Sequence, residues 1–242
     1  ALEKAAPGDV IHVAGGKYKG KTDCGWILIE KPVSIIGGYS DDFKERDITK
    51  YKTMLMPTNE QNATKPMDDV GTVGFKMWAS ANQADALKGT TTLIDGLYID
   101  QGDANSYHPS KGQPEGVATG MYLDPPAKGN TPNPSISRAE MKGKTAGNLT
   151  IQNCVFLNAS NYGIQISHHE GDVKILNNLF INNRMMACDL LCTKNQNGAV
   201  KFEFAYNTVL FTWSRTNEMT DMGFGVRCNA KVDANIHHNI IG

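Results

Sequence analysis

Between Asn148 and Gly242 one short pattern is written four times, and that repeat limits the folds open to this chain. It reads Leu-Thr-Ile-Gln-Asn-Cys-Val-Phe from Leu149 and Val-Lys-Ile-Leu-Asn-Asn-Leu-Phe from Val173. It returns as Phe-Glu-Phe-Ala-Tyr-Asn-Thr-Val from Phe202 and Ala-Asn-Ile-His-His-Asn-Ile-Ile from Ala234. With Ile151, Ile175, Phe204 and Ile236 equivalent, the steps are 24, 29 and 32 residues. A period of that size with variable padding marks a solenoid. Apolar residues alternate within each copy, so the unit is strand, tight turn, strand. Ile151, Val173, Ile175, Phe180, Phe202, Phe204 and Ile236 are expected to point inward.

Asn178, Asn207 and Asn239 fall at the same place in three successive copies. Asn tolerates the left-handed backbone region, so these residues are expected to form the corner. Coils stacked about 4.8 Å apart would let their amides bond to one another, an internal asparagine ladder. The first copy has Cys154 there, so the ladder is expected to start at Asn178.

Gly163-Ile-Gln-Ile-Ser, Ala187-Cys-Asp-Leu-Leu and Gly223-Phe-Gly-Val-Arg supply a further strand per repeat, the last with room to slip by two residues. An earlier copy is visible in Thr92-Leu-Ile-Asp-Gly-Leu-Tyr-Ile and Gly120-Met-Tyr-Leu-Asp. The fold expected is all-β: one right-handed parallel β-helix over residues 1–242, with three strands per coil. On these repeats the chain resembles the pectate-lyase-like right-handed parallel β-helix superfamily. It is similar in size and fold to the β-helical carbohydrate-binding modules associated with xylanases. That resemblance implies a secreted bacterial protein, a segment of a longer multidomain chain covalently linked to a glycoside hydrolase. Fold alone does not fix chemistry.

The opening, Ala1-Leu-Glu-Lys-Ala-Ala-Pro-Gly-Asp, reads as a short capping helix stopped by Pro7-Gly8. Strands are expected at Val10-Ile-His-Val, Trp26-Ile-Leu-Ile, Pro32-Val-Ser-Ile-Ile, Thr53-Met-Leu-Met and Gly74-Phe-Lys-Met-Trp, with a corner at Gly37-Gly38. A net charge of −1 gives no basic surface for nucleic acid. No apolar run is long enough for a membrane-spanning helix. Five cysteines do not make a disulfide framework; Cys192 and Cys228 could pair between coils, but buried free thiols fit better. Asp41, Asp42 and Asp47 are the candidate calcium ligands, although the interleaved Lys44 and Arg46 point to ion pairs. No cofactor is expected.

Three insertions interrupt the repeat: Asp103 to Thr119, Pro125 to Gly147 and Thr212 to Met222. The first and third leave at one corner and would wall a groove. Its floor would be the outward residues Tyr122, Gln165, Asp189 and Arg227. Tyr107, His108, Trp213 and Arg215 would come from the walls, and His168, Asn161 and Tyr162 from the margins. Aromatic rings stack on the C–H faces of sugars while Asn, Gln and Asp take hydroxyls, so this set suggests polysaccharide binding.

A lyase or hydrolase is the alternative. β-Elimination on a uronate would need charge neutralisation by Arg227 or Arg215, a base such as Lys194 or His168, and metal ligands such as Asp124 and Asp189. These residues form no recognisable catalytic motif, and His168-His169 point to opposite faces if they lie on a strand. The leading expectation is non-catalytic binding of a neutral or lightly charged xylan-type chain. A structural surface β-helix is the second alternative.

Overall fold

The computed structural model describes residues 1–19, 27–29, 31–56, 69–75, 78–79, 89–100, 117–123, 144–145, 147–159, 162–167, 171–183, 186–191, 199–212 and 223–242. The repeats wind into coils whose strands fall into three parallel sheets. Sheet A holds β1 (Val10–Ala14), β4 (Ser34–Tyr39), β8 (Thr91–Asp95), β12 (Asn148–Gln152), β15 (Val173–Leu176), β18 (Val200–Ala205) and β21 (Val232–His237). Sheet B holds β2 (Gly16–Lys19), β5 (Thr53–Met56), β9 (Leu97–Asp100), β13 (Val155–Leu157), β16 (Leu179–Ile181), β19 (Thr208–Leu210) and β22 (Ile240–Ile241). Sheet C holds β3 (Ile27–Ile29), β6 (Asp69–Phe75), β10 (Val117–Leu123), β14 (Tyr162–Ser167), β17 (Met186–Leu191) and β20 (Phe224–Cys228). A small antiparallel ribbon of β7 (Trp78–Ala79) and β11 (Lys144–Thr145) stands apart. The expected Gly74–Trp78 strand is therefore divided: Gly74 and Phe75 belong to β6 and Trp78 to the ribbon.

Register follows the repeat. Ile151 lies beside Ile175, Ile175 beside Phe204, and Phe204 beside Ile236. Ile151, Val173, Ile175, Phe180, Phe202 and Phe204 are buried, and Phe156, Phe180 and Phe204 stack from coil to coil at 4.9 and 6.0 Å. Each such side chain contributes about 1.5–3 kcal/mol by leaving water. Ile236 departs from the expectation: it keeps the inward register but is 48% exposed, because no described residue stacks on its far side.

The internal ladder is present. Asn178 Nδ2 donates to Asn207 Oδ1 at 3.0 Å, and Asn207 Nδ2 donates to Asn239 Oδ1 at 3.2 Å. Each amide also donates to a backbone carbonyl, Ile151 for Asn178 and Ile175 for Asn207. The corner itself is made differently from the expectation. The left-handed residue is the one before the ladder position: Gly96, Asn153, Asn177, Tyr206 and His238 have φ between 51° and 71°. One residue in that region turns the chain from sheet A to sheet B, which swings the next side chain into the interior. A second left-handed corner, at Asn158, Asn182 and Phe211, turns it out of sheet B.

Two further expectations are corrected. The capping helix is absent: Ala1–Ala5 makes one turn, closed by Lys4 N–H and Ala5 N–H donating to the Ala1 carbonyl. Pro7 has no N–H to carry the turn onward as a helix. The turn still covers the core, since Ala5 is buried, Leu2 packs on the first coil, and Lys31 Nζ holds the Glu3 and Ala5 carbonyls. Gly37 and Gly38 lie inside β4 and do not end it. A Cβ on Gly37 would meet the Gly96 carbonyl oxygen at 2.7 Å, so the close approach of neighbouring coils requires glycine there.

Candidate functional site

Alternation in β14 and β17 sends Ile164, Ile166, Cys188 and Leu190 into the core, and so sends Gln165 and Asp189 out. Register then aligns Tyr122 with Gln165, Gln165 with Asp189, and Asp189 with Arg227. The expected row therefore lies along sheet C. It depends on the two-residue slip in the last copy, where Ala187 stands opposite Gly225 and not Gly223, between the paired Met186–Phe224 and Cys188–Val226.

The row is chemically closed at its C-terminal end. Arg227 Nε donates to Asp189 Oδ1 at 2.8 Å and Nη2 donates to Oδ2 at 2.9 Å. Gln165 Nε2 reaches the same carboxylate at 3.4 Å. Asp189 is wholly buried, whereas the Arg227 side chain is 36% exposed. The carboxylate beside it raises the Arg227 pKa, and Tyr162 adds to the effect. Tyr162 is itself buried and packs on Met186, apart from the main core. Gly163 lets the neighbouring coils approach closely here, since a Cβ there would meet the Ala187 carbonyl oxygen at 2.6 Å. The open floor expected for Asp189 is thus corrected: its side chain faces outward but is roofed by its own partners.

Of the remaining expected site residues, Tyr107, His108, Asn161, Trp213 and Arg215 lie outside the described residues, as do His168, Asp124, Lys194 and Cys192. The connections that carry Tyr107 and His108, and Trp213 and Arg215, leave from one corner. Residues 101–116 join β9 to β10 and residues 211–223 join β19 to β20, both from sheet B to sheet C, while Val117 to Thr119, expected in the first insertion, belong to β10.

Elsewhere the polar groups serve the fold. Asp42 takes the Ser40 hydroxyl and pairs with Lys44 at 3.2 Å, which lowers its pKa. Asp47 accepts from Thr49 and Lys50. Arg46 reaches the buried Asp95, which also takes Gln152 and Asn153. Cys154, Cys188 and Cys228 are free thiols, and Cys228 stands opposite Leu190. Among the described residues no group of three His, Cys, Asp or Glu side chains is set to hold a metal ion.

Sequence reasoning missed the outward face of sheet B. Val155, Leu157, Leu179, Ile181 and Leu210 make it apolar, and the signal was available in the alternation of each repeat. The chain matches no protein-family model, no curated protein and no solved structure.

Proposed function

We propose that the chain is a non-catalytic carbohydrate-binding module with a right-handed, pectate-lyase-like coil, recognising a neutral xylan-type polysaccharide along sheet C. Right-handed crossovers are the near-universal form between parallel strands. The observation that carries the reading is the bidentate pairing of Arg227 with Asp189 inside a row that also holds Gln165 and Tyr122. Of the two arginines that could neutralise a uronate carboxylate, Arg227 is already engaged by Asp189. What the row offers is amide hydrogen bonding at Gln165, which suits hydroxyl groups. Secretion and a linked glycoside hydrolase belong to the same proposal.

Affinity electrophoresis in gels containing neutral xylan or an acidic polysaccharide tests it. Retardation by xylan, weakened in Gln165→Ala, is the expected result. Steady release of unsaturated or reducing sugars, abolished in Arg227→Ala, would make the protein an enzyme.

A further inference from the structure

The left-handed corners of the solenoid are filled by Gly or Asn in the earlier coils, at Gly96, Asn153 and Asn177 and at Asn158 and Asn182. Those asparagines form two outward ladders. Asn177 Nδ2 donates to Asn153 Oδ1 at 2.7 Å, and Asn153 Nδ2 donates to Asp95 at 3.1 Å. At the other corner Asn182 donates to Asn158 at 2.9 Å, and Asn158 to Asp100 at 2.8 Å. In the next coil the two positions hold Tyr206 (φ 60°) and Phe211 (φ 58°).

That exchange works against the fold twice. Bulky residues are disfavoured in the left-handed region, and neither ring carries an amide to extend its ladder. It also places two large rings in water: Tyr206 is 57% and Phe211 69% exposed. Tyr206 is backed by the His238 ring of the following coil at 5.3 Å, with 27° between the planes. The two rings flank the outward side of β19, where Thr208 and Leu210 stand. Four residues, Asn207 to Leu210, lie between them, so their Cα atoms are at most about 16 Å apart, room for more than one sugar ring. His237 also meets the Tyr206 ring edge-on at 5.7 Å, yet both Tyr206 and Phe211 keep more than half of their surface in water, and an unfavourable backbone held at exposed rings is a mark of function.

We infer that Tyr206 and Phe211 form a second glycan-contact line on the sheet B side of the coil, stacking on the apolar C–H faces of pyranose rings in a neutral polysaccharide. This line rests on the carbohydrate reading above and lies one corner away from the sheet C row. Phe211 stands at the corner that turns the chain out of sheet B. Aliphatic residues alone would suit any apolar partner; paired exposed rings with a hydroxyl-bearing Thr208 between them suit a sugar.

The natural test replaces each ring with the residue its own corner uses elsewhere. Tyr206→Asn, Phe211→Asn and the double variant should unfold at the same or a higher urea concentration than the parent. In soluble arabinoxylan gels each single variant should bind about three- to tenfold more weakly, the worth of one aromatic stacking contact. A double variant retarded as strongly as the parent overturns this inference and leaves the sheet C reading standing. Reduced stability in the Asn variants also overturns it, because the rings would then serve the fold. Self-association of the parent in sedimentation, lost in the double variant without change in retardation, assigns the rings to contacts between copies and overturns it as well. A parent that no neutral or acidic polysaccharide retards overturns the carbohydrate reading itself, and this inference with it.

Discussion

The backbone N–H of Cys154 donates to Asn178 Oδ1 at 2.9 Å, so a thiol stands in the rung where the next three coils place an amide. Its Sγ lies 3.5 Å from Leu97 N and 3.9 Å from the Ile94 carbonyl oxygen. Those are the groups that an amide at this position would engage. Cys154→Asn should extend the ladder by one coil and raise stability by about 0.5–1.5 kcal/mol, the net worth of an added hydrogen bond. Urea unfolding checks it, and a lower midpoint would mean that the coil above cannot seat the larger group.

Asn207 is the centre of the ladder. Its Oδ1 takes Asn178 N–H and Nδ2–H, while its own amide reaches Ile175 and Asn239. Asn207→Leu leaves those buried partners without bonds and should cost roughly 1–3 kcal/mol. A change under a few tenths in the unfolding free energy would show that the rungs are ornamental to stability.

The Asp189–Arg227 pair should behave asymmetrically. Arg227→Met strands a wholly buried carboxylate, with a loss of about 3–5 kcal/mol. Adding Asp189→Leu should recover most of that loss, because the charge and its partner leave together. A double-mutant cycle by chemical denaturation measures the coupling, and additive losses would contradict the pairing.

Burial raises the Cys154 thiol from 9.0 to about 12 and the Cys228 thiol to about 11. Both shifts favour the protonated form in the folded state. Their contribution to stability is therefore complete below pH 9 and is lost as the pH climbs through the window up to about 12. Urea midpoints should therefore fall as the pH rises from about 9 towards 12, and should fall less in Cys154→Ala. Equal slopes in the two proteins would exclude Cys154 as a source of the effect.

Much of this architecture could be read from spacing. The matched asparagines located the rungs, and simple alternation aligned Gln165 with Asp189. What spacing could not decide was which residue of Asn177-Asn178 turns the corner, since both are asparagine. Tyr206-Asn207 resolves it, because the ring sits at positive φ and the amide goes inside. Nor could alternation reveal that Arg227 closes over Asp189, which depends on a two-residue shift between β17 and β20. The missing capping helix has another cause: composition favoured it, but Pro7 lacks the N–H that would carry the turn onward.

The rungs join residues 24, 29 and 32 apart, so each coil holds a different length of chain behind a similar set of bonds. Under tension applied to the last coil, the solenoid should unravel as a sequence of discrete slips. The slack released should shorten step by step, about 110 Å, then 100 Å, then 80 Å of contour as the coils let go in turn. A force trace of the molecule would then print the spacing of its own asparagines, read backwards from Asn239 to Cys154.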